Sequence, residues 1–248
     1  MAVIETPPTR LMRVGHKGAA AIAPGNTLEG FDAALACGVD MIEFDVLSER
    51  PDGGGRLLVA HDHEDLRTRP ALSFERALEH LSGEAFAGTE LDVDIKLPGY
   101  ELRVVDALRD RGLLERTLAS SMFPQGLDRI RAAEPVLRLG WSVPRVRRDY
   151  TTDALTAIPA FALLSGYRAA LPRRVRTALR AERFDAIMAH WRVVSPALVQ
   201  AVAEGDGELY VWTVDDAARI ARLTEMGVDG IITNDPRLFG ERLQRSLS

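Results

Sequence analysis

Two short stretches of the sequence place acidic residues two positions apart. Glu43 and Asp45 lie in MIEFDV, and LDVDIK contains Asp92, Asp94 and Lys96. Residues two apart in a β-strand share a face, so each stretch would direct its charges to one side and its apolar residues to the other. Crowded carboxylates repel one another unless a cation lies between them, and Mg²⁺ and Ca²⁺ prefer oxygen ligands. The spacing therefore indicates a divalent-cation site, with a buried Arg or Lys partner for the acids as the alternative.

Two histidines stand where predicted strands end. His16 follows the first such strand in VGHKG, and His61 ends the run LLVAHD. Imidazole titrates near neutral pH, so it can accept or donate a proton during a reaction. One histidine at a strand end indicates little, because most are structural, but a pair among the chain's five histidines is typical of a general acid and base.

Other side chains at strand ends extend this candidate site. The ammonium group of Lys96 could hold a phosphoryl oxygen or balance the carboxylates, with a purely structural ion pair as the alternative. Trp141, His190 and Trp212 also end predicted strands. We take His190 and Trp212 as candidate substrate-binding residues, and packing in the core or at the rim is the alternative for each aromatic residue.

These residues come together only if the strand ends meet. Short β-rich runs alternate with Ala/Leu/Arg-rich runs of helical period, a pattern that predicts repeated βα units and a parallel sheet. We predict eight strands, at residues 11–15, 40–47, 90–97, 117–121, 136–141, 185–190, 208–214 and 230–233. About 250 residues is the usual size of a (β/α)₈ barrel, whose active site lies at the C-terminal ends of its strands. The predicted fold is therefore α/β, a single TIM barrel over residues 1–248.

Helices are predicted at residues 27–36, 73–81, 100–111, 125–133, 195–203 and 215–226. Asn26 and Ser195 are the predicted N-caps of the first and fifth of these. The turn sequence PDGGGR indicates a short hairpin within 50–58. Residues 144–184 exceed one crossover helix, and Pro159 and Pro172 divide them into two predicted helices.

Composition excludes several classes of protein. Of the 248 residues, 46% are hydrophobic and 27% charged, and the net charge is −5, which is typical of a soluble globular chain without a nucleic-acid-binding surface. No apolar run reaches the ~18 residues of a membrane span, so we expect no membrane insertion and a cytoplasmic location. Cys37 is the single cysteine and cannot form an internal disulfide. No feature of the sequence indicates an oligomeric state.

The motifs resemble those of the glycerophosphodiester phosphodiesterase family. That family opens with HRG, PENT, E-x-D and HD, and the chain has HKG at 16–18, PGNT at 24–27, EFD at 43–45 and HD at 61–62, in the same order and spacing. The resemblance continues through LDVDIK, VWTVDD and GVDGIITNDP, and so covers almost the whole chain.

The resemblance implies a (β/α)₈ barrel that binds Mg²⁺ or Ca²⁺. It also implies hydrolysis of a small-molecule glycerophosphodiester to glycerol 3-phosphate and an alcohol. The residues carried over are Glu43, Asp45 and Asp94 as metal ligands, His16 and His61 as the catalytic histidines, and Lys17 and Lys96 as phosphate-site cations.

Three substitutions and one deletion separate the chain from the family pattern. Asp94 stands where a Glu ligand is usual, Lys17 replaces an arginine and loses its planar fork, and Gly25 replaces the Glu of PENT. Only HEDLRTRPA separates His61-Asp62 from the next predicted helix, so the small lobe common at this point is predicted to be missing. Two alternatives remain open: a lysophospholipase D or sphingomyelinase D-like enzyme acting on lipids, and a catalytically weak phosphoester-binding protein.

Overall fold

Eight parallel strands close into a barrel. The structure, a computed structural model, describes residues 10–144 and 157–240, with the backbone alone over 157–164. The strands in chain order are β1 (Met12–Gly15), β2 (Met41–Ser48), β3 (Leu57–Val59), β4 (Leu72–Ser73), β5 (Glu90–Ile95), β6 (Thr117–Ser121), β7 (Arg138–Val143), β8 (Ala186–His190), β9 (Glu208–Trp212) and β10 (Gly230–Thr233). Strand β1 pairs with both β2 and β10, which closes the ring. The predicted barrel is confirmed, and each of its strands matches one of the eight predicted strands.

Strands β3 and β4 extend the sheet outside the ring. They pair antiparallel, β3 with β2 and β4 with β3, so the hairpin predicted from PDGGGR is present. Between them, residues 60–71 contain only one short helix. His61 and Asp62 lie at the start of this connection, and no separate lobe follows them within it.

The helices in chain order are α1 (Leu28–Ala36), α2 (Asp65–Thr68), α3 (Phe74–Leu81), α4 (Glu101–Asp110), α5 (Pro124–Ala133), α6 (Ala157–Arg180), α7 (Pro196–Ala203) and α8 (Ala217–Glu225). Short 3₁₀ turns lie at Glu84–Phe86, Leu114–Arg116, Trp191–Val193 and Pro236–Phe239. None of the helices in the described ranges is long and apolar enough to cross a membrane. A single domain over the whole chain stays a prediction, because 1–9, 145–156 and 241–248 lie outside the described residues.

The alternation along each strand separates two cores. On β2, Ile42, Phe44 and Val46 point outward into the large apolar layer between strands and helices. Burying each such side chain stabilises the fold by about 1.5–3 kcal/mol. A smaller apolar cluster fills the lumen, and its members are Val14, Met41, Leu118, Ala186, Met188, Tyr210 and Ile232. The lumen is therefore packed below the level at which the acidic residues appear.

The N-terminal end of the lumen is closed by one arginine. Arg138 at the start of β7 donates to Glu90 of β5 and to Glu208 of β9, both at 2.6 Å. Its guanidinium also lies 3.3 Å from the hydroxyl of Tyr210. Burial opposes the charge of Arg138, but the two carboxylates outweigh it and raise its pKa. This cluster joins the three strands β5, β7 and β9.

The predicted N-cap at Asn26 is wrong by one residue. Thr27 caps α1, and its hydroxyl accepts from the Gly30 N–H at 3.1 Å. Asn26 has φ +60° and turns its amide into the barrel, where it bonds to Asp45. The predicted cap at Ser195 is confirmed by its bond from the Leu198 N–H.

The two helices predicted in 144–184 are one helix. Residues 145–156 lie outside the described part of the chain, but α6 runs from Ala157 to Arg180 without a break at Pro172. An internal proline costs about 3 kcal/mol. Leu171, Val175 and Leu179 of α6 are buried, at about 1.5–3 kcal/mol each, which offsets that cost.

Candidate active site

A pocket opens at the C-terminal end of the barrel. The described residues that line it come from all eight barrel strands or the loops after them, and His61 comes from the loop after β3. They are His16, Lys17, Glu43, Asp45, His61, Asp92, Asp94, Lys96, Ser120, Met122, Ser142, Met188, Trp212, Thr213 and Ile232. Eight of the nine residues predicted for the site therefore lie in one pocket, and His190 is not among its lining residues.

The predicted metal ligands converge. One carboxylate oxygen each from Glu43, Asp45 and Asp94 lies within 4.8 Å of the other two. Glu43 and Asp45 are inward neighbours on β2, and Asp94 is the register partner of Asp45 on β5. Three carboxylates at this separation offer hard oxygen donors from two directions, which is the donor chemistry that Mg²⁺ and Ca²⁺ take. The residues fit a divalent cation.

Two lysines balance part of this charge. Lys96 Nζ lies 3.0 Å from Asp45 Oδ1 and 2.8 Å from Asp94 Oδ2, and Lys17 Nζ lies 3.4 Å from Asp45 Oδ2. Burial by itself would raise the pKa of Asp45, but Lys96 and Lys17 hold it well below its usual range. The pKa of Lys96 is raised, because Asp45 and Asp94 outweigh the effect of burial on its ammonium group.

The other three acids have raised pKa values, although Lys96 also contacts Asp94. Burial, and then repulsion from Asp45, Asp92 and Asp94, raises the pKa of Glu43 well above its usual range. Burial also raises the pKa of Asp94, and it raises the pKa of Asp92 to about 8. In the protein alone these groups resist ionisation, and a cation among them would favour the charged forms.

His16 is held by a chain of polar residues. Its Nδ1 lies 2.6 Å from Asn234 Oδ1, while Asn234 Nδ2 donates to Asp215 Oδ2 at 2.6 Å. Because a carboxylate only accepts, this pattern assigns the amide nitrogen to Asp215 and the amide oxygen to His16, so Nδ1 carries the proton. Burial lowers the pKa of His16 to about 4, although the hydrogen bond that its Nδ1–H donates to Asn234 opposes this shift. The ring is therefore neutral at pH 7, with the lone pair of Nε2 facing the site, 3.9 Å from Glu43 Oε2.

His61 is more exposed to solvent than His16. Its side chain is 49% exposed, and Nδ1 lies 3.0 Å from Asp62 Oδ2. The backbone N–H of Asp65 donates to the Asp62 carboxylate and fixes its position. This hydrogen bond and the one between His61 and Asp62 lower the pKa of Asp62. Arg69 holds Asp65 through two bonds of 2.9 Å.

The loop after β1 positions two of the ligands. The Lys17 backbone N–H donates to Glu43 Oε2 at 2.7 Å, and Asn26 Nδ2 donates to Asp45 Oδ2 at 2.8 Å. The Asp45 N–H returns a bond to Asn26 Oδ1 at 3.1 Å. A Cβ on Gly25 would meet the Lys17 Cβ at 3.0 Å, so the glycine of PGNT leaves room beside that lysine.

The three aromatic candidates Trp141, His190 and Trp212 lie in different environments. Trp212 lines the pocket, and its Nε1 donates to the Met188 carbonyl at 2.8 Å. His190 packs edge-on against the Trp212 ring, with centroids 5.1 Å apart. Trp141 points outward against Phe184 and belongs to the layer beneath the helices, which settles its alternatives in favour of core packing.

Several residues around the site carried no assigned role in the sequence. Asn234 and Asp215 support His16, Asn26 supports Asp45, and Asp92 and Ser120 line the floor of the pocket. The inward alternation of LDVDIK indicated that Asp92 faces the lumen. The contact between His16 and Asn234 spans 218 positions, which no local pattern reveals.

Known proteins share these motifs and this barrel. A glycerophosphodiester phosphodiesterase of Caldanaerobacter subterraneus is 27% identical over 255 residues, covering 90% of this chain and 93% of that protein. The crystal structure of a glycerophosphodiester phosphodiesterase from Parabacteroides distasonis superposes with a TM-score of 0.71 at 16% identity, covering 96% of this chain and 97% of that one. An Oleispira antarctica phosphodiesterase, solved in complex with the product sn-glycerol-3-phosphate, gives 0.68 at 17% identity, covering 95% and 96%.

The two structural likenesses show a shared fold, and the sequence match identifies the family. The model of the glycerophosphoryl diester phosphodiesterase family matches residues 16–71 and 94–238, which include both site histidines and the three clustered ligands. The chain therefore belongs to the glycerophosphoryl diester phosphodiesterase family and is an enzyme of the phosphoric diester hydrolase class.

Proposed function

We propose that this enzyme hydrolyses glycerophosphodiesters to glycerol 3-phosphate and an alcohol in a reaction that requires a divalent cation. The observation that carries the proposal is the pairing of a partly buried, neutral histidine with an exposed, carboxylate-paired histidine in one acidic pocket. Membership of the family supports the substrate class, and the product complex of the Oleispira antarctica enzyme supports the product.

Glu43, Asp45 and Asp94 would hold the cation. When bound, Mg²⁺ or Ca²⁺ would supply electrostatic stabilisation of the charge that builds on the phosphoryl oxygens. Lys17 and Lys96 border the same carboxylates and would hold further phosphoryl oxygens through charge-assisted hydrogen bonds. A lysine at position 17 offers a point charge without the fork of an arginine, so we expect looser orientation of the phosphate.

His16 would act as the general base. Its Nδ1–H is occupied by Asn234, so only Nε2 can accept a proton from the attacking water. As that O–H bond breaks, the water oxygen forms a bond to phosphorus. Its low pKa keeps His16 ready to accept a proton at neutral pH. His16 would then carry the proton until solvent removes it.

His61 would act as the general acid. The bond from phosphorus to the departing alcohol breaks with its electron pair on the alkoxide oxygen, which takes a proton from the imidazolium of His61. The pairing of Nδ1 with Asp62 leaves Nε2 as the donor. Its exposure suits a group that must recover a proton from solvent after each turnover.

Trp212 would form the apolar wall beside the glycerol or alcohol carbons, and His190 would fix the angle of that ring. The family match favours this function over the two alternatives, a lipid-directed phosphodiesterase and a binding protein without turnover. A small-molecule phosphodiester is therefore the proposed partner, and a cytoplasmic location remains a prediction of the sequence.

The test is to identify the product by ³¹P NMR after incubation with glycerophosphocholine and glycerophosphoethanolamine in the presence of Mg²⁺ or Ca²⁺. Glycerol 3-phosphate as the first product is expected. A cyclic glycerophosphate that accumulates before it would show ring closure by the substrate's own hydroxyl. Turnover of lysophospholipids alone would contradict the proposed substrate class.

A further inference from the structure

Four carboxylates form two rungs across the adjacent strands β2 and β5. Glu43 is the register partner of Asp92 in the lower rung, and Asp45 is the register partner of Asp94 in the upper rung. Paired strands lie about 4.8 Å apart. All four side chains line the pocket and together form an acidic square, in which oxygens of Glu43, Asp45 and Asp94 lie within 4.8 Å of one another and Asp92 lies beside them.

The upper rung is balanced by the protein itself. Lys96 contacts both of its carboxylates, at 3.0 and 2.8 Å, and Lys17 lies 3.4 Å from Asp45. The lower rung differs, because over the described ranges Glu43 contacts only the neutral His16 ring, at 3.9 Å, and Asp92 has no ion-pair contact.

Asp92 is the exception among the four. It is 1% exposed, and its Oδ1 is a buried oxygen without a hydrogen-bond partner in the described part of the chain. Burying a carboxylate oxygen without compensation is costly, and native proteins satisfy nearly all such groups. An orphan oxygen that lines the pocket therefore indicates a missing partner with positive charge.

We propose that Asp92 is a fourth carboxylate ligand of the cation site and that this site selects Ca²⁺ over Mg²⁺. The inference rests on the cation site of the proposed function. The Ser120 hydroxyl is a hydrogen-bond partner of the Asp92 carboxyl group, and a cation in the square would give Asp92 Oδ1 the partner that this atom lacks. Asp94 is shorter than the glutamate usual in the family, and a second carboxylate from the same strand compensates for its shorter reach.

The number of carboxylates sets the expected preference. Ca²⁺ takes about six to eight oxygen ligands in flexible geometry, whereas Mg²⁺ usually keeps several waters and takes one or two carboxylates. Asp92 lies in residues 72–93, between the two segments that the family model matches. Asp92 thus lies outside the part of the chain that matches the family pattern.

The test is calorimetric titration of the folded, metal-free protein with CaCl₂ and with MgCl₂. Asp92→Asn keeps the shape of the side chain and removes its charge. We expect it to weaken Ca²⁺ binding about tenfold or more, and to weaken Mg²⁺ binding less. Glu90→Gln is the matched control, because it removes a carboxylate from the same face of β5 at the end closed by Arg138, and its Ca²⁺ affinity should equal that of wild type.

A purely structural role for Asp92 makes a different prediction. If Asp92 only packs, Asp92→Asn will bind Ca²⁺ as tightly as wild type, and that result would overturn the proposal. Metal-free Asp92→Asn should melt no lower than metal-free wild type, since it replaces a buried carboxyl group whose Oδ1 has no hydrogen-bond partner. A lower melting temperature together with unchanged Ca²⁺ affinity would likewise count against a ligand role.

Crystals of the wild-type protein soaked in CaCl₂ give a second measurement that does not depend on a variant folding. Asp92 Oδ1 within about 2.6 Å of the ion supports the proposal, and an ion bound only by the other three carboxylates overturns it. Wild-type turnover is assayed separately. Ca²⁺ binding without turnover would contradict the proposed function but would leave the proposed role of Asp92 as a cation ligand unaffected.

Discussion

The two ends of the barrel lumen differ in how completely their acidic side chains are paired with cationic ones. Strand β5 contributes to both, with Glu90 at the N-terminal end and Asp92 and Asp94 at the C-terminal end. At the first end Arg138 bridges two carboxylates at 2.6 Å each, and the cluster is complete within the protein. At the other end four buried or partly buried carboxylates face two lysines. The same strand thus contributes a stabilising ion pair at one end and carboxylates that the nearby lysines only partly balance at the other.

That difference separates stability from activity along one strand. In a closed ion-pair cluster each charge already has a partner, so no group is left to bind a ligand. An acidic cluster with too few cationic side chains can bind a metal cation, and its carboxyl groups can lose protons when the cation binds. We therefore expect substitutions at the C-terminal end to change activity far more than folding, and substitutions at the N-terminal end to do the reverse.

The largest expected effect is at His16. His16→Ala removes the proposed base and should lower kcat by ~10²–10⁴-fold, because general base catalysis contributes that much. Its melting temperature should stay within a few degrees of wild type. Steady-state kinetics with glycerophosphocholine checks the first point and thermal unfolding the second, and a variant that retains a tenth of wild-type kcat would remove His16 from the base role.

The matching change at the closed end is Arg138→Met. It leaves Glu90 and Glu208 without their shared partner and should lower the free energy of unfolding by about 2 kcal/mol, because the cluster is only partly buried. Activity of the folded fraction should remain within about threefold of wild type, since Arg138 does not line the pocket. Urea unfolding measures the stability, and an unchanged midpoint would show that the cluster adds nothing to it.

Next in size is the support of His16 from Asn234. Asn234→Ala removes the acceptor that fixes the tautomer of His16, and we expect kcat to fall about 10–100-fold with KM nearly unchanged. Asn234→Asp can still accept from Nδ1 and should restore part of the loss. Equal effects on kcat and KM in both variants would indicate a general loosening of the pocket instead.

The smallest expected effect is a pH dependence that is nearly absent. A base works when it is unprotonated, so activity falls as the pH drops through its pKa, and burial lowers the pKa of His16 to about 4. At saturating cation, kcat/KM should change less than twofold between pH 7 and pH 5.5. A base with an ordinary pKa of about 6.5 would lose most of its activity over that interval.

Alternation and motif order predicted the fold and most of the site. The period-two alternation within each strand predicted that Glu43 and Asp45 on β2, and Asp94 on β5, face inward. The barrel then brings one carboxylate oxygen of each within 4.8 Å of the other two. The bond of His16 to Asn234 could not be predicted locally, because it forms only when β1 meets β10 as the ring closes. Helix α6 continues through Pro172 because tertiary burial outweighs the local propensity of proline.

The central claim is that the acidic end of the lumen works through a bound divalent cation. The most direct measurement is release of glycerol 3-phosphate from glycerophosphocholine by protein treated with EDTA, before and after addition of Ca²⁺, Mg²⁺ or Mn²⁺. The account predicts no release with EDTA, recovery with added metal, and no recovery in Asp45→Asn. Full activity in EDTA by protein shown to be free of metal would contradict it.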